Sequence, residues 1–145
     1  MRSLICALTL AMTLGGAQNA AAQADGYAVV VSASNPITSL KRDEASKLFL
    51  KKTAKWSDGR DVAPVDQPEG SPVREAFTKA VMKKSVAAVK SYWQQQIFSG
   101  RNVPPAERAS DGDVLNFVRA NPAAIGYVSV TAQVGSGVKV VSVVD

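Results

Sequence analysis

After residue 24, apolar residues form four short runs, and segments with helical spacing separate most of them. The runs 27–32, 62–65, 125–130 and 138–144 are rich in β-branched residues and predict strands. The first run is apolar throughout rather than alternating, which is typical of a strand buried on both faces of a parallel sheet. Pro64 in the second run favours an edge strand or an early end.

Four other segments place apolar residues three and four positions apart, as on one face of a helix. They are 42–51 and the segments that follow Ser71, Ser85 and Ser110. Each serine is a preferred N-cap residue, and Pro72 is favoured at the first helical position. The predicted inward faces consist of Ala45, Leu48 and Phe49; Val73, Phe77, Ala80 and Val81; Val86, Val89, Trp93 and Ile97; and Val114, Phe117 and Val118.

The predicted order is strand, helix, strand, three helices, strand, strand. Alternation of this kind indicates an α/β domain with a mostly parallel sheet flanked by helices. No internal repeat and no long linker divides residues 25–145, and a chain of this length buries one core. We therefore expect a single α/β domain over 25–145.

The first 24 residues have the features of a secretory signal peptide. Arg2 precedes an apolar run at 4–14, and small residues lead to Ala22-Gln23-Ala24. The run is shorter than the roughly 20 residues that span a bilayer. We expect cleavage after Ala24, a periplasmic protein and no membrane span afterwards. Retention of the segment as an N-terminal tether is the alternative.

The composition removes several kinds of chemistry. The chain has no histidine, and its one cysteine, Cys6, lies in the expected leader. The usual general base, thiol nucleophile and zinc ligands are therefore missing, and we expect no catalysis, no cofactor and no metal site. Six acidic residues fall in predicted loops and caps, where solvated carboxylates are the default: Asp58, Asp61, Asp66, Glu69, Asp111 and Asp113.

The formal net charge of +5 favours the attraction of small anions. Basic pairs at 41–42, 51–52 and 83–84 are scattered along the chain, which is typical of solvated surface rather than of a nucleic-acid footprint. Together with the expected export, this spacing removes nucleic acid from the expected partners.

The segment 66–74 joins the end of a predicted strand to the start of a predicted helix. Such a junction presents free N–H groups and the positive end of the helix dipole, and ligands of α/β sheets collect beyond the carboxyl ends of the strands. The Ser71 hydroxyl can donate to an oxyanion, and Arg74 can hold it with two N–H groups. The sequence thus predicts an oxyanion site at Glu69, Gly70, Ser71 and Arg74. An ordinary capped helix with Arg74 in solvent is the alternative.

An ordered series of motifs resembles the phosphate-binding proteins of ABC importers. The stretch 48–59 ends in Trp56-Ser57-Asp58-Gly59 and precedes the strand at 62–65, as in that family. Gly70-Ser71 falls at the position of the family's Gly-Ser-Gly-Thr phosphate loop. The segment 122–128, Pro-Ala-Ala-Ile-Gly-Tyr-Val, resembles its Pro-Gly-Ala-Ile-Gly-Tyr-Val strand. Phe77 and the pair Tyr92-Trp93 also fall where the family has aromatic residues.

The resemblance covers about 27–130 and implies a periplasmic substrate-binding protein for phosphate or a similar oxyanion, linked to an ABC importer. Family members have two lobes that close on phosphate, and this chain resembles only the second lobe. In the loop, Gln67 stands at the family's arginine and Glu69 at its aspartate, while Pro72-Val73 replaces its final Gly-Thr. Of the family's phosphate loop, the chain retains Ser71 and the start of the helix.

The missing lobe leaves two partner hypotheses. A second copy facing the first would rebuild a cleft, so a homodimer is one expected assembly. The alternative function is a non-catalytic accessory or interaction protein of the cell envelope, which kept the fold, lost specific ligand binding and contacts a membrane or envelope partner. In both cases Trp56, Trp93 and Tyr127 are expected in the core, and Gly126 is expected to allow close packing.

Overall fold

The computed structural model describes residues 26–145, so the predicted signal peptide and Cys6 lie outside the described residues. A six-stranded sheet with the order β2-β6-β1-β5-β3-β4 lies at its centre. The strands are β1 (Tyr27–Ser32), β2 (Ser39–Lys41), β3 (Ala63–Asp66), β4 (Ala106–Glu107), β5 (Ala124–Ser129) and β6 (Val138–Val144). The four predicted strands are confirmed, and the short strands β2 and β4 are additional.

Helices flank the sheet, which confirms the predicted α/β class. They are α1 (Arg42–Phe49), α2 (Pro72–Phe77), which continues into a π-helical turn (Thr78–Met82), α3 (Val86–Phe98) and α4 (Asp111–Ala120). The Ser85 and Ser110 hydroxyls accept hydrogen bonds from the N–H groups of Ala88 and Asp113, as predicted for N-caps. Within 26–145 no helix is long and apolar enough to cross a bilayer.

The sheet is mixed. Three of its five neighbouring pairs are parallel, but β1 runs antiparallel to both β5 and β6. All six residues of β1 are buried, as the continuous apolar run predicted. Burial on both faces favours apolar residues whichever way the neighbouring strands run. The predicted burial of β1 is therefore confirmed, but its predicted parallel pairing is wrong.

Two apolar layers cover the faces of the sheet, one with α1, α2 and α3 and the other with α4. The predicted inward residues are buried or half-buried with one exception. Ile97 is 54% exposed, so its predicted inward position is wrong. Trp93 is the last buried residue of α3, and the final turn of the helix extends beyond the packed layer.

The predicted packing role of Gly126 is confirmed. A β-carbon at this position would lie 2.7 Å from Cγ1 of Val65 and 2.8 Å from Cγ1 of Val114. Carbon atoms cannot approach so closely without displacing their neighbours. Gly126 therefore lets α4 pack directly on β5. The expected core aromatics Trp56, Trp93 and Tyr127 are also buried.

Candidate functional site

The predicted anion loop lies at the carboxyl end of β3, as expected. Asp66 is the last residue of β3, α2 begins at Pro72, and β5 runs parallel beside β3. Residues 67–71 therefore connect a strand to a helix at the carboxyl ends of the parallel strands β3 and β5. Among the predicted site residues, Glu69 and Gly70 are exposed, Ser71 is half-buried and Arg74 is buried.

Arg74 is held inside the loop. Its Nη1 donates to the carbonyl of Gln67 at 2.7 Å, and its Nη2 lies 3.3 Å from Oδ2 of Asp66. A second carboxylate, that of Glu107, lies 3.6 Å from Nη1. The side chain of Arg74 is 7% exposed, so the alternative that placed it in solvent is wrong. The first turn of α2 directs both Val73 and Arg74 inward, and three oxygens satisfy the charge.

Ser71 occupies the N-cap position of α2, but its side chain makes no capping hydrogen bond. Its hydroxyl donates instead to Oε1 of Gln67 at 3.2 Å. The expectation of a side-chain cap is therefore wrong, because the hydroxyl is oriented towards the Gln67 amide oxygen and its oxygen accepts no hydrogen bond from an N–H group of α2. That distance is longer than the usual range of about 2.5–3.0 Å for an O–H···O hydrogen bond.

Gln67 is the residue of the site that the sequence analysis did not assign. It is buried, and its Nε2 donates to Oδ1 of Asp111 at 2.8 Å and to the carbonyl of Tyr127 at 3.1 Å. Its backbone N–H donates to Oδ1 of Asp66 at 2.9 Å. The alignment with the family's arginine was the available signal. Gln67 thereby ties the loop to α4 through a carboxylate and to β5 through a backbone carbonyl.

Asp66 and Tyr127 form the buried base of the loop. The Tyr127 hydroxyl donates to Oδ1 of Asp66, which is itself buried. The prediction of a solvated carboxylate at Asp66 is therefore wrong, because the hydroxyl, the Gln67 N–H and Arg74 replace water around it. Two causes raise the pKa of Tyr127 above its usual value: burial has the larger effect, and the negative charge of Asp66 the next largest. The phenol is accordingly a donor throughout the neutral range.

Carboxylates outnumber cations around the loop. Besides Asp66 and Glu107, Asp111 accepts from Gln67, and exposed Glu69 lies 3.4 Å from Nζ of Lys90. An oxyanion that approaches the loop must therefore compete with acidic side chains for Arg74. Within 26–145 no group of three or more His, Cys, Asp or Glu side chains is placed to hold a metal ion.

Comparison with known proteins gives one family and several similar folds. A family model described as PBP superfamily domain matches residues 11–143. No curated protein sequence matches the chain. Both this family and the solved structures below agree with the resemblance that the motifs indicated.

One similar solved structure is a putative phosphate ABC transporter substrate-binding protein with bound phosphate from Clostridium perfringens. It is 23% identical, with a TM-score of 0.64 over 81% of this chain and 44% of that one. An ABC-type phosphate transport receptor from Vibrio cholerae is 20% identical, with a TM-score of 0.63 over 80% and 45% of the two chains. PstS from Borrelia burgdorferi is 13% identical, with a TM-score of 0.63 over 81% and 47%. At these identities the likeness shows the fold, and the chain spans less than half of each of these proteins.

Proposed function

The chain belongs to the PBP superfamily domain family, and from this premise we propose that it is a substrate-binding lobe for phosphate or a similar small oxyanion. The ligand contacts Glu69, Gly70, Ser71 and Arg74 at the loop between β3 and α2. The protein acts without catalysis or a cofactor, in the periplasm after cleavage behind Ala24. An ABC importer or another envelope protein is its partner.

The position of Glu107 at Arg74 is the observation that carries the proposal. The Glu107 side chain is 55% exposed, and its Oε2 lies 3.6 Å from Nη1 of Arg74. This separation is longer than the 2.7–2.9 Å typical of a charge-assisted hydrogen bond. Carboxylate and phosphate oxygens are bound by arginine in the same way. A phosphate oxygen can therefore replace the loosely held Glu107 at Nη1, while Asp66 and the Gln67 carbonyl keep the guanidinium in place.

The rest of the loop supplies neutral donors for the other oxygens. The free N–H groups at the start of α2 form the positive end of the helix dipole. The Ser71 hydroxyl can turn from Gln67 to the ligand, since its 3.2 Å hydrogen bond is long. Glu69 suits a ligand that still carries a proton, because a carboxylate only accepts hydrogen bonds. An open loop in water weakens each of these bonds, so the expected dissociation constant is roughly millimolar.

A second function is favoured by the same acidic surroundings. Asp66, Glu107 and Asp111 already satisfy Arg74 and Gln67, so the loop is stable without a ligand. A lobe whose loop stays closed in this way would be a non-catalytic accessory or interaction protein of the envelope. In that case the contacts of the loop only stabilise the fold, and a partner binds another surface.

Thermal unfolding of the protein with added anions separates the two functions. A ligand that binds only the folded state raises the melting temperature in a saturable manner. The proposal predicts saturation with phosphate and arsenate, with sulfate weaker because sulfate has no proton with which to donate a hydrogen bond to Glu69. Chloride at equal ionic strength is the control for general screening. Equal responses to all four anions would reject the oxyanion function and favour the accessory function.

A further inference from the structure

The end of α3 carries an apolar surface that the oxyanion function does not use. Ile97 is 54% exposed, Phe98 95% and Val103 60%. A shallow groove joins Ile97 to Val103 across the turn that follows the helix. We call these three side chains the α3-end patch. A phenylalanine so completely exposed costs hydration free energy unless something covers it.

The surroundings of the patch are basic. No aspartate or glutamate occurs between Lys90 and Ala106, whereas Arg101 lies in the turn beside the groove. Lys51, which follows the end of α1, also lies near the patch, because its Nζ donates to the carbonyl of Pro104 at 3.4 Å. The patch therefore combines exposed apolar side chains with a positive rim.

We propose that the α3-end patch docks the protein on an anionic lipid surface. An aromatic and two aliphatic side chains beside basic residues are the chemistry of interfacial membrane binding, in which the apolar groups enter the acyl boundary and cations meet the headgroups. Lys51 and Arg101 supply the positive charges that complement such a surface.

The same features argue against a second copy of the chain as the occupant. A symmetric contact through the patch would bring Arg101 and Lys51 of both copies together, and like charges oppose that approach. Three side chains also supply little of the roughly 1,000 Å² that a stable protein interface buries. A lipid surface needs no matching shape, so a small patch suffices.

Flotation of the full chain with vesicles tests the proposal, using phosphatidylcholine alone or mixed with phosphatidylglycerol. Binding to the mixed vesicles should weaken about tenfold in Phe98→Ser, through lost apolar burial, and about fivefold in Arg101→Gln. Val140→Ser is the matched control. Val140 is an exposed apolar residue (44%), but it lies on β6 and not in the α3-end patch, so this variant should bind like the wild type. Every variant carries the same N-terminal segment, so that segment cannot produce a difference.

Three outcomes would overturn lipid docking, and a lack of anion binding at the loop is not one of them. If Phe98→Ser floats as well as the wild type with mixed vesicles, or if neither binds them, the patch does not dock on lipid. If the wild type is a dimer by sedimentation without lipid and Phe98→Ser is a monomer, the patch joins two copies instead. Circular dichroism of each variant verifies that it is folded.

Discussion

The guanidinium of Arg74 lies 3.3 Å from the carboxylate of Asp66, and both side chains are buried. A buried charge is tolerated only when it is paired and hydrogen-bonded. Here the positive charge of Arg74 and the negative charge of Asp66 compensate each other. Arg74 therefore stabilises the folded loop whether or not an anion binds beside it.

Removal of Arg74 should be strongly destabilising. Arg74→Ala leaves Asp66 buried without its cation, and we expect a loss of about 3–5 kcal/mol in the free energy of unfolding. Arg60→Ala is the control, because Arg60 pairs with Asp58 at 2.8 Å on the surface and should cost about 1 kcal/mol or less. Urea unfolding measures both. Equal losses would mean that the buried pair contributes no more than a surface pair.

Tyr127→Phe should lower stability and change its dependence on alkaline pH. Loss of the hydroxyl removes a donor from buried Asp66 and should cost about 1–3 kcal/mol at neutral pH. Because the folded-state pKa of Tyr127 is raised, its protonation stabilises the fold fully below the unfolded-state pKa of about 10. That contribution is lost as the pH rises towards the folded-state pKa.

Above pH 10 the wild type should therefore lose up to about 1.4 kcal/mol more per pH unit than Tyr127→Phe. Urea unfolding between pH 8 and about pH 11 measures the difference, and the lysine residues common to both proteins cancel. Parallel pH curves for the two proteins would show that Tyr127 ionises normally in the folded state.

Phe77→Ala should destabilise the fold by about 3–5 kcal/mol. Phe77 is buried, stacks on Tyr127 with ring centroids 4.0 Å apart, and meets Tyr27 and Phe49 edge-on. Phe98→Ala is the control, since an exposed side chain should cost about 0.5 kcal/mol or less. Denaturant melts compare the two. A loss below about 1 kcal/mol for Phe77→Ala would contradict this packing.

Gly126→Ala tests the close approach of α4 and β5. The added methyl group would overlap Val65 and Val114, so we expect a loss of about 1–3 kcal/mol. Gly112→Ala adds a methyl group in α4 with no atom closer than 3.8 Å, and it should leave stability unchanged or raise it by up to about 1 kcal/mol. Similar thermal shifts for the two variants would show that the helix can move away without cost.

Apolar spacing and caps predicted the four longer strands, the helices and most of the core, because these features depend on near neighbours in the chain. Ser85 and Ser110 are examples, since each contacts an N–H group three residues away. The direction of β1 and the exposure of Ile97 depend instead on where distant elements end in space. No local pattern contains that information.

The candidate site was predictable in position but not in its contacts. The strand-to-helix junction located the loop correctly at the end of β3. Arg74, however, pairs with Glu107 from a two-residue strand that the sequence did not indicate. Gln67 reaches Asp111, 44 positions away. Charged side chains find such partners through tertiary packing, so a loop residue that looks solvent-facing in sequence is buried in the fold.

Calorimetric titration of phosphate into the wild type and Glu107→Gln, at fixed ionic strength, tests the central claim most directly. If an oxyanion replaces Glu107 at Arg74, the wild type should bind phosphate saturably and Glu107→Gln should bind it up to about fivefold more tightly. Glu75→Gln, which removes the same charge from the exposed side of α2, should bind like the wild type, and chloride should give no saturable heat. Absence of saturable phosphate binding in both the wild type and Glu107→Gln, or equal affinity in the two, would contradict oxyanion binding at this loop.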